Sequence, residues 1–361
     1  VYKRQTHYRR RMRRALALLA AAAMIAGAVA IRALIDDDDA TVSGTTSGAG
    51  SDPDDSSLRV RCADVADAAC DALREAGFTV RVESAGRTAD VLYEAAPTDD
   101  LGFDVWITTR SWPDMIEAQR RADLAGSLLD QPVDVGARSP AVIVARSDRA
   151  EVLAQSCGLT WSCIGDSVGS TWADLGGGSS WGSPRPGHSP PDLNSEGLLT
   201  TAQLTADFLG RTTFASNDLD NRFRGWLTGL QSAVPDHTPP AGTPFDQLLL
   251  TPAFFDAVGS IEAVAAPAVA SSRDRERLTV AIPEPVVTAD LVVAAPLGQN
   301  SSAQSIATRD DVSEALAAAG WRVEGLPTID VIDDTVALPD SDNLPPAGVL
   351  IALTDRWDEV T

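Results

Sequence analysis

Histidine and cysteine are scarce in this chain, with three histidines (His7, His188, His237) and four cysteines in 361 residues. A serine-hydrolase elbow needs a histidine base beside its nucleophile, and with so few histidines the Trp181–Ser183 turn is not read as one. Phosphate-loop and dinucleotide fingerprints are also missing, since Gly176-Gly177-Gly178 is a plain glycine run. Neither cysteine pair has the C-x₂₋₄-C spacing of a zinc site, and no histidine lies near a cysteine. These shortages predict a protein that is not an enzyme and holds no metal or cofactor. Positive charge is the third shortage. After residue 35 the chain carries 21 Arg against 51 Asp and Glu, a balance of −30. A body so acidic repels phosphate backbones, so nucleic acid is excluded as a partner.

The remaining basic residues are gathered at the start. Lys3 and seven arginines precede residue 36 with no acid among them, and the apolar run Ala15–Ile31 follows Arg13-Arg14. A positive flank before an apolar stretch is the layout of a signal peptide or an N-terminal anchor. Seventeen residues, extended by Ala33-Leu34-Ile35, lie near the lower limit for a span. Residues 1–35 are read as an uncleaved anchor that keeps its arginines cytoplasmic and sends the rest of the chain outside. Cleavage after Ala28-Val29-Ala30, giving a secreted protein, is the alternative. Residues 36–57, DDDDATVSGTTSGAGSDPDDSS, form an acidic linker of small polar residues with nothing to bury.

Export suits the cysteines. Cys62 and Cys70 lie eight apart and Cys157 and Cys163 six apart, and four cysteines allow three pairings. Local pairs are the simplest expectation in an oxidising compartment. Eight residues of unbroken helix rise about 12 Å, too far for a disulfide, so a Cys62–Cys70 bridge requires the first helix to start well after Cys62.

Strand and helix patterns alternate from Leu58. Strands are expected at Leu58–Arg61, Phe78–Val82 and Phe103–Ile107, with helices at Ala63–Ala76, Arg87–Glu94 and Met115–Leu129. That β-α-β-α-β order predicts a parallel, doubly wound sheet and an α/β fold class. A polar turn, Thr108–Asp114, separates the third strand from its helix. Further on, Ala141–Ala145, Ala263–Ala268, Leu278–Ile282, Leu291–Ala294 and Val349–Leu353 read as strands. Leu204–Leu209, Leu219–Ala233, Phe245–Val258 and Asp310–Ala319 read as helices. Between them runs Trp181–Gly210, where the elbow Asp192–Gly197 places Asn194 and Ser195 at a helix start. Their side-chain oxygens can cap the first free N–H groups, and such an end also suits a ligand.

Several marks occur in a shared order: Asp104-Val105-Trp106 then Ser111-Trp112, Arg138-Ser139-Pro140 before Ala141–Val144, and Thr171–Leu175. Asn194–Leu198, Ala281-Ile282-Pro283, Ala289–Val292 and Val312–Val323 complete the series. Over residues 58–361 this order resembles bacterial extracellular solute-binding proteins of the type II periplasmic-binding fold. Its kin are the membrane-anchored members often joined to a von Willebrand factor A domain. The resemblance implies two doubly wound α/β lobes joined by crossing strands: residues 58–140 with 290–361, and residues 141–289. It also implies ligand capture in the cleft between them, without catalysis, on behalf of a membrane transporter or another membrane-associated partner. The ligand-binding candidates are Thr108, Thr109, Arg110, Ser111, Arg138 and Ser139 from one side, and Asn194 and Ser195 from the other. Hydroxyls, helix-start N–H groups and arginines suit a small polar or anionic ligand, with Asp192 and Glu196 weighing against a highly charged anion. The chain departs from its kin at Cys62-Ala63-Asp64, where small hydroxyl residues are usual. That departure favours the alternative of a ligand-free protein-interaction or structural domain. His188 is read as a surface loop residue, and Trp106, Trp112, Trp172, Trp226 and Trp321 as core.

Overall fold

A computed structural model describes residues 58–235, 242–339 and 343–361. The expected anchor and linker, residues 1–57, lie outside the described residues. Among those described, no helix is long and apolar enough to cross a membrane.

The chain alternates strand and helix from its start. β1 (Arg59–Ala63), α1 (Asp67–Glu75), β2 (Thr79–Glu83), α2 (Ala85–Glu94), β3 (Val105–Thr109) and α3 (Ser111–Ala122) come first. The long strand β4 (Val133–Arg146) leads to α4 (Ser147–Ser156), α5 (Trp161–Asp166), the short β5 (Pro186–Gly187), α6 (Ser195–Leu209), α7 (Asn221–Ala233) and α8 (Pro244–Leu250). Then follow β6 (Ala257–Ile261), α9 (Glu262–Ser271), β7 (Leu278–Ala281) and β8 (Thr288–Ala294). α10 (Asn300–Ala307), α11 (Asp310–Ala318), β9 (Arg322–Val323) and α12 (Ala347–Asp358) finish the chain.

The strands order as β2-β1-β3-β8-β4-β6-β5, with β7 and β9 also paired to β4. β1 pairs in parallel with β2 and β3, as the early alternation predicts, but β8 runs antiparallel to both β3 and β4. The sheet is therefore mixed. β4 holds it together. Its first half, Val133–Pro140, pairs with β8 and β9, and its second half, Ala141–Arg146, pairs with β6 and β7. One buried core lies around β1, β3 and β8, a second around α5, α6 and α7, and a third around β6 and α8.

Both local disulfides form. Cys62–Cys70 spans 6.2 Å between Cα atoms and Cys157–Cys163 spans 5.5 Å. The first closes because the α-helix starts only at Asp67, with a single 3₁₀ turn before it.

Three stretches differ from expectation. Ala263–Ala268 is helix α9 rather than strand, because a short run of alanines apolar on every side carries no period to choose by. Val349–Leu353 belongs to α12, whose buried Val349, Leu350, Leu353 and Trp357 share one face of a helix. Phe245–Val258 divides into α8 and the wholly buried strand β6. The early boundaries also move: Thr108 and Thr109 end β3 instead of forming the turn, and α3 begins at Ser111.

Candidate cleft beside the first turn of helix α6

Asn194 caps α6, its Oδ1 accepting from the Gly197 N–H at 2.8 Å. This cap aims the next residue at β3. Ser195 Oγ lies 3.1 Å from Thr109 Oγ1 and accepts from Trp112 Nε1 at 3.1 Å, while Thr109 Oγ1 lies 3.2 Å from Ser111 Oγ. All four side chains are buried. Alongside, the Gly86 N–H donates to Leu193 O at 3.1 Å. The approach is close enough that a Cβ on residue 86 would stand 2.0 Å from Asp192 O.

The sequence-derived candidates thus divide. Thr109, Ser111 and Ser195 come together and bond to one another, while Asn194, next to Ser195 in the chain, is taken up by the Gly197 N–H. Thr108 is buried in β3 with its Oγ1 unpartnered. Ser139 Oγ accepts from the Ala263 N–H at 2.9 Å and so serves the start of α9. The two arginines are engaged elsewhere. Arg110 pairs with Asp134. Arg138 donates from Nε to Asp290 Oδ1 at 2.7 Å and from Nη2 to Thr288 Oγ1 at 3.2 Å and Pro339 O at 2.5 Å. Burial raises the Asp290 carboxyl pKa even with Arg138 beside it.

An open cleft of about 740 Å³ adjoins the Asn194 cap. Asp64 and Ser84, which follow β1 and β2, form part of its wall, as do Trp357, Asp358 and Thr361 at the chain end. Residues 188–190 and 192–194, together with Gln231, Val234, Thr243 and Phe255, complete the lining. His188 is only 6% exposed, so it is no surface residue. Its ring meets Trp357 edge to face at 4.5 Å and Trp161 at 6.3 Å, and its Nε2 lies 3.0 Å from Gln231 Nε2. Burial lowers its pKa to about 4, against hydrogen bonds to the backbone of Ser189 and of His188 itself, which leaves the ring neutral at neutral pH.

Two carboxyls stand at this junction, Asp64 half-buried and Glu196 buried. Burial pushes Asp64 up to about 6. Glu196, whose Oε1 accepts from Ser260 Oγ at 2.5 Å, is pushed up to about 7 by burial and then by repulsion from Asp64 and Asp246.

No family model and no curated protein matches the sequence. Solved structures do. The chain is similar to a periplasmic thiamin binding protein, at TM-score 0.54 and 14% identity over 84% of this chain and 95% of that one. It is also similar to the substrate binding protein of an ABC transporter from Agrobacterium tumefaciens, at 0.54 and 12% over 85% and 94%. A third is Mannheimia haemolytica ferric iron-binding protein A in an open conformation, at 0.51 and 13% over 84% and 98%. The fold is that of the type II periplasmic binding proteins.

On this type II fold the cleft-lining residues are mostly ones that the sequence pattern passes over. Asp64 was visible only as a departure from the kin, at Cys62-Ala63-Asp64, where Cys62 is drawn into its disulfide. His188 and Trp357 come from a proline-rich loop and a polar-looking tail. Only the helical spacing of Val349, Leu353 and Trp357 could have placed that tail against the second core. Among the described residues, no group of three or more His, Cys, Asp or Glu is placed to hold a metal ion. Gly178-Ser179-Ser180-Trp181-Gly182 does carry G-x-S-x-G spacing. Ser180, however, is exposed within a turn, with no strand directly before it and no helix directly after. A nucleophile elbow requires that strand-turn-helix context.

Proposed function

We propose that this chain is a non-catalytic extracellular solute-binding module that captures a small polar ligand between two lobes. Residues 58–140 with 290–361 would form one lobe and residues 141–289 the other. The observation that carries the reading is the cleft itself, whose walls are drawn from both sides of the crossing strand β4. Ligands of open α/β sheets bind beyond strand ends where loops meet helix starts, and Asp64, Ser84 and Asn194 occupy such places. Bending of β4 near Pro140-Ala141, where its pairing passes from β8 to β6, would open and close the lobes. Each disulfide would then sit within one lobe and leave that hinge free. Similar structures named for thiamin, for ferric iron and for an ABC transporter's substrate support a role in solute capture. Residues 1–35 would hold the module at the outer face of a membrane, where a transporter or other membrane-associated partner receives the ligand.

Thermal unfolding of the full chain against oxyanions, amino acids, amines, sugars and metal salts tests this. A ligand at 100 times its Kd adds about 2.7 kcal/mol to the folded state and raises the melting temperature. A panel with no such compound sinks the reading.

A second reading, a ligand-free interaction domain, is favoured by one observation: Thr109, Ser111, Trp112 and Ser195 saturate one another. It requires that no small molecule shift the melting temperature while a membrane protein partner does.

A further inference from the structure

On the two-lobe reading, the last helix bears on how the lobes rest. We propose that α12 is a two-faced pin between them, so that the module rests closed and the cleft opens only when one face of this helix comes free. Val349, Leu353 and Trp357 recur at four-residue spacing along α12, and with Ala352 they join the second core. Apart from these and Val360, that core is drawn wholly from residues 143–257, within the lobe assigned to residues 141–289. Leu350, turned by about 100° from Val349, joins the first core instead, where Leu344, Ala347 and Ile351 also pack. Leu350 and Leu353 are both fully enclosed, at 2% and 0% exposure. In keeping with its two faces, α12 packs on both α3 and α6. A helix of three turns is stiff and cannot follow two lobes that swing apart. Opening must strip one stripe from its core and return apolar surface to water.

Hydrogen bonds point the same way. Ser195 Oγ lies 3.1 Å from Thr109 Oγ1 and 3.1 Å from Trp112 Nε1, and the Gly86 N–H donates to Leu193 O at 3.1 Å. Each of these bonds joins residues 58–140 directly to residues 141–289. The packing of α6 crosses the same boundary, since Leu198, Leu199, Ala202 and Ala206 join the first core while Leu204 joins the second. Bending of β4 near Pro140-Ala141 therefore parts the lobes only if the buried hydroxyl cluster and one stripe of α12 break together. Buried polar groups that lose their partners oppose that step. Trp357 and Asp358 at the end of α12 also stand in the cleft wall, so release of the helix reshapes the cleft. A ligand then enters through a rarely populated open form, which slows its association.

Double electron–electron resonance on the full chain, with no compound added, tests the pin. Spin labels go on Arg87→Cys in α2 and Arg224→Cys in α7, both exposed and one on each lobe, while the native cysteines are held in disulfides. One narrow distance is expected from this labelled chain. Adding Leu350→Ala or Leu353→Ala, each of which weakens one stripe, should bring up a second, longer distance in about a tenth of the molecules or more. Leu153→Ala removes the same side chain from the second core outside α12 and should leave the single distance unchanged. A broad or double distance in the labelled chain itself overturns the pin, and that result needs no core variant to fold. A single unchanged distance in folded Leu350→Ala and Leu353→Ala also overturns it. So does a second distance in Leu153→Ala, which would make opening a general result of a weakened core. If the pin fails and a compound from the wider panel still binds, solute capture stands. If the lobes are held closed and no compound binds, the pin stands and solute capture falls.

Discussion

Replacing Glu196 with glutamine isolates one buried proton. The side chain sits in the first turn of α6, enclosed, with its Oε1 2.5 Å from Ser260 Oγ. Burial, helped by Asp64 and Asp246, raises its pKa from 4.5 to about 7. Between those two values the folded chain keeps a proton that the unfolded chain has released, so stability falls as pH rises through that window. Each unit is worth about 1.4 kcal/mol, which makes the full penalty of ionising Glu196 about 3 kcal/mol by pH 8 and under about 1 kcal/mol at pH 5. Glutamine keeps the carbonyl that accepts from Ser260 and never ionises. Urea unfolding of wild type and Glu196→Gln should therefore give similar stabilities at pH 5. At pH 8 the variant should be the more stable by about 2–3 kcal/mol. Asp207, raised by burial to about 7, titrates in both proteins and cancels in the comparison, whereas the repulsion between Asp64, at about 6, and Glu196 is part of the difference measured. Parallel stability curves from pH 5 to 8 would refute the account of this junction.

Two further substitutions probe how the body is held together. Gly86→Ala puts a methyl 2.0 Å from Asp192 O and 2.6 Å from Leu193 O, both backbone atoms, so the α2 start must retreat from the loop before α6. A loss of about 1–3 kcal/mol in thermal unfolding is expected, and an unchanged melting temperature would show that the approach is looser than described. Arg120→Met removes a buried guanidinium that donates to the carbonyls of Leu92, Ala95, Ala125 and Gly126 at 2.8 to 3.0 Å. Stranding those carbonyls should cost about 3 kcal/mol or more in chemical denaturation, and a loss below about 1 kcal/mol would mean that water replaces the arginine.

Local signals served well wherever a residue's role depends on its near neighbours. Asn194 reads as a helix cap because capping needs only a side-chain oxygen and an N–H three residues on, and it caps. The early strands and helices carry periods that their own burial requires. The Cys62–Cys70 spacing likewise told where α1 could not begin. The site was legible only in part. The elbow at Asn194-Ser195 lies beside the cleft, but Arg138 and Ser139, whose hydroxyls and charge suited a ligand equally well in sequence, are taken up by Asp290, Thr288 and the start of α9. Nothing local distinguishes an arginine bound to a ligand from one bound to an aspartate 152 positions away.

The sequence by itself determined the α/β class, the capped start of α6 and the acidity of everything after residue 35, while the structure chose the local disulfides from three possible pairings. The first three rest on spacing or composition within a few turns of chain. Tertiary structure alone decided that β8 returns antiparallel between β3 and β4, and that the Ser195 hydroxyl is met by Thr109 and Trp112. It also brought His188 and Trp357 from distant segments into one wall with Asp64. Such pairings form between groups far apart in sequence, and what fixes them is the burial and hydrogen bonding of surfaces that meet only once the chain has folded.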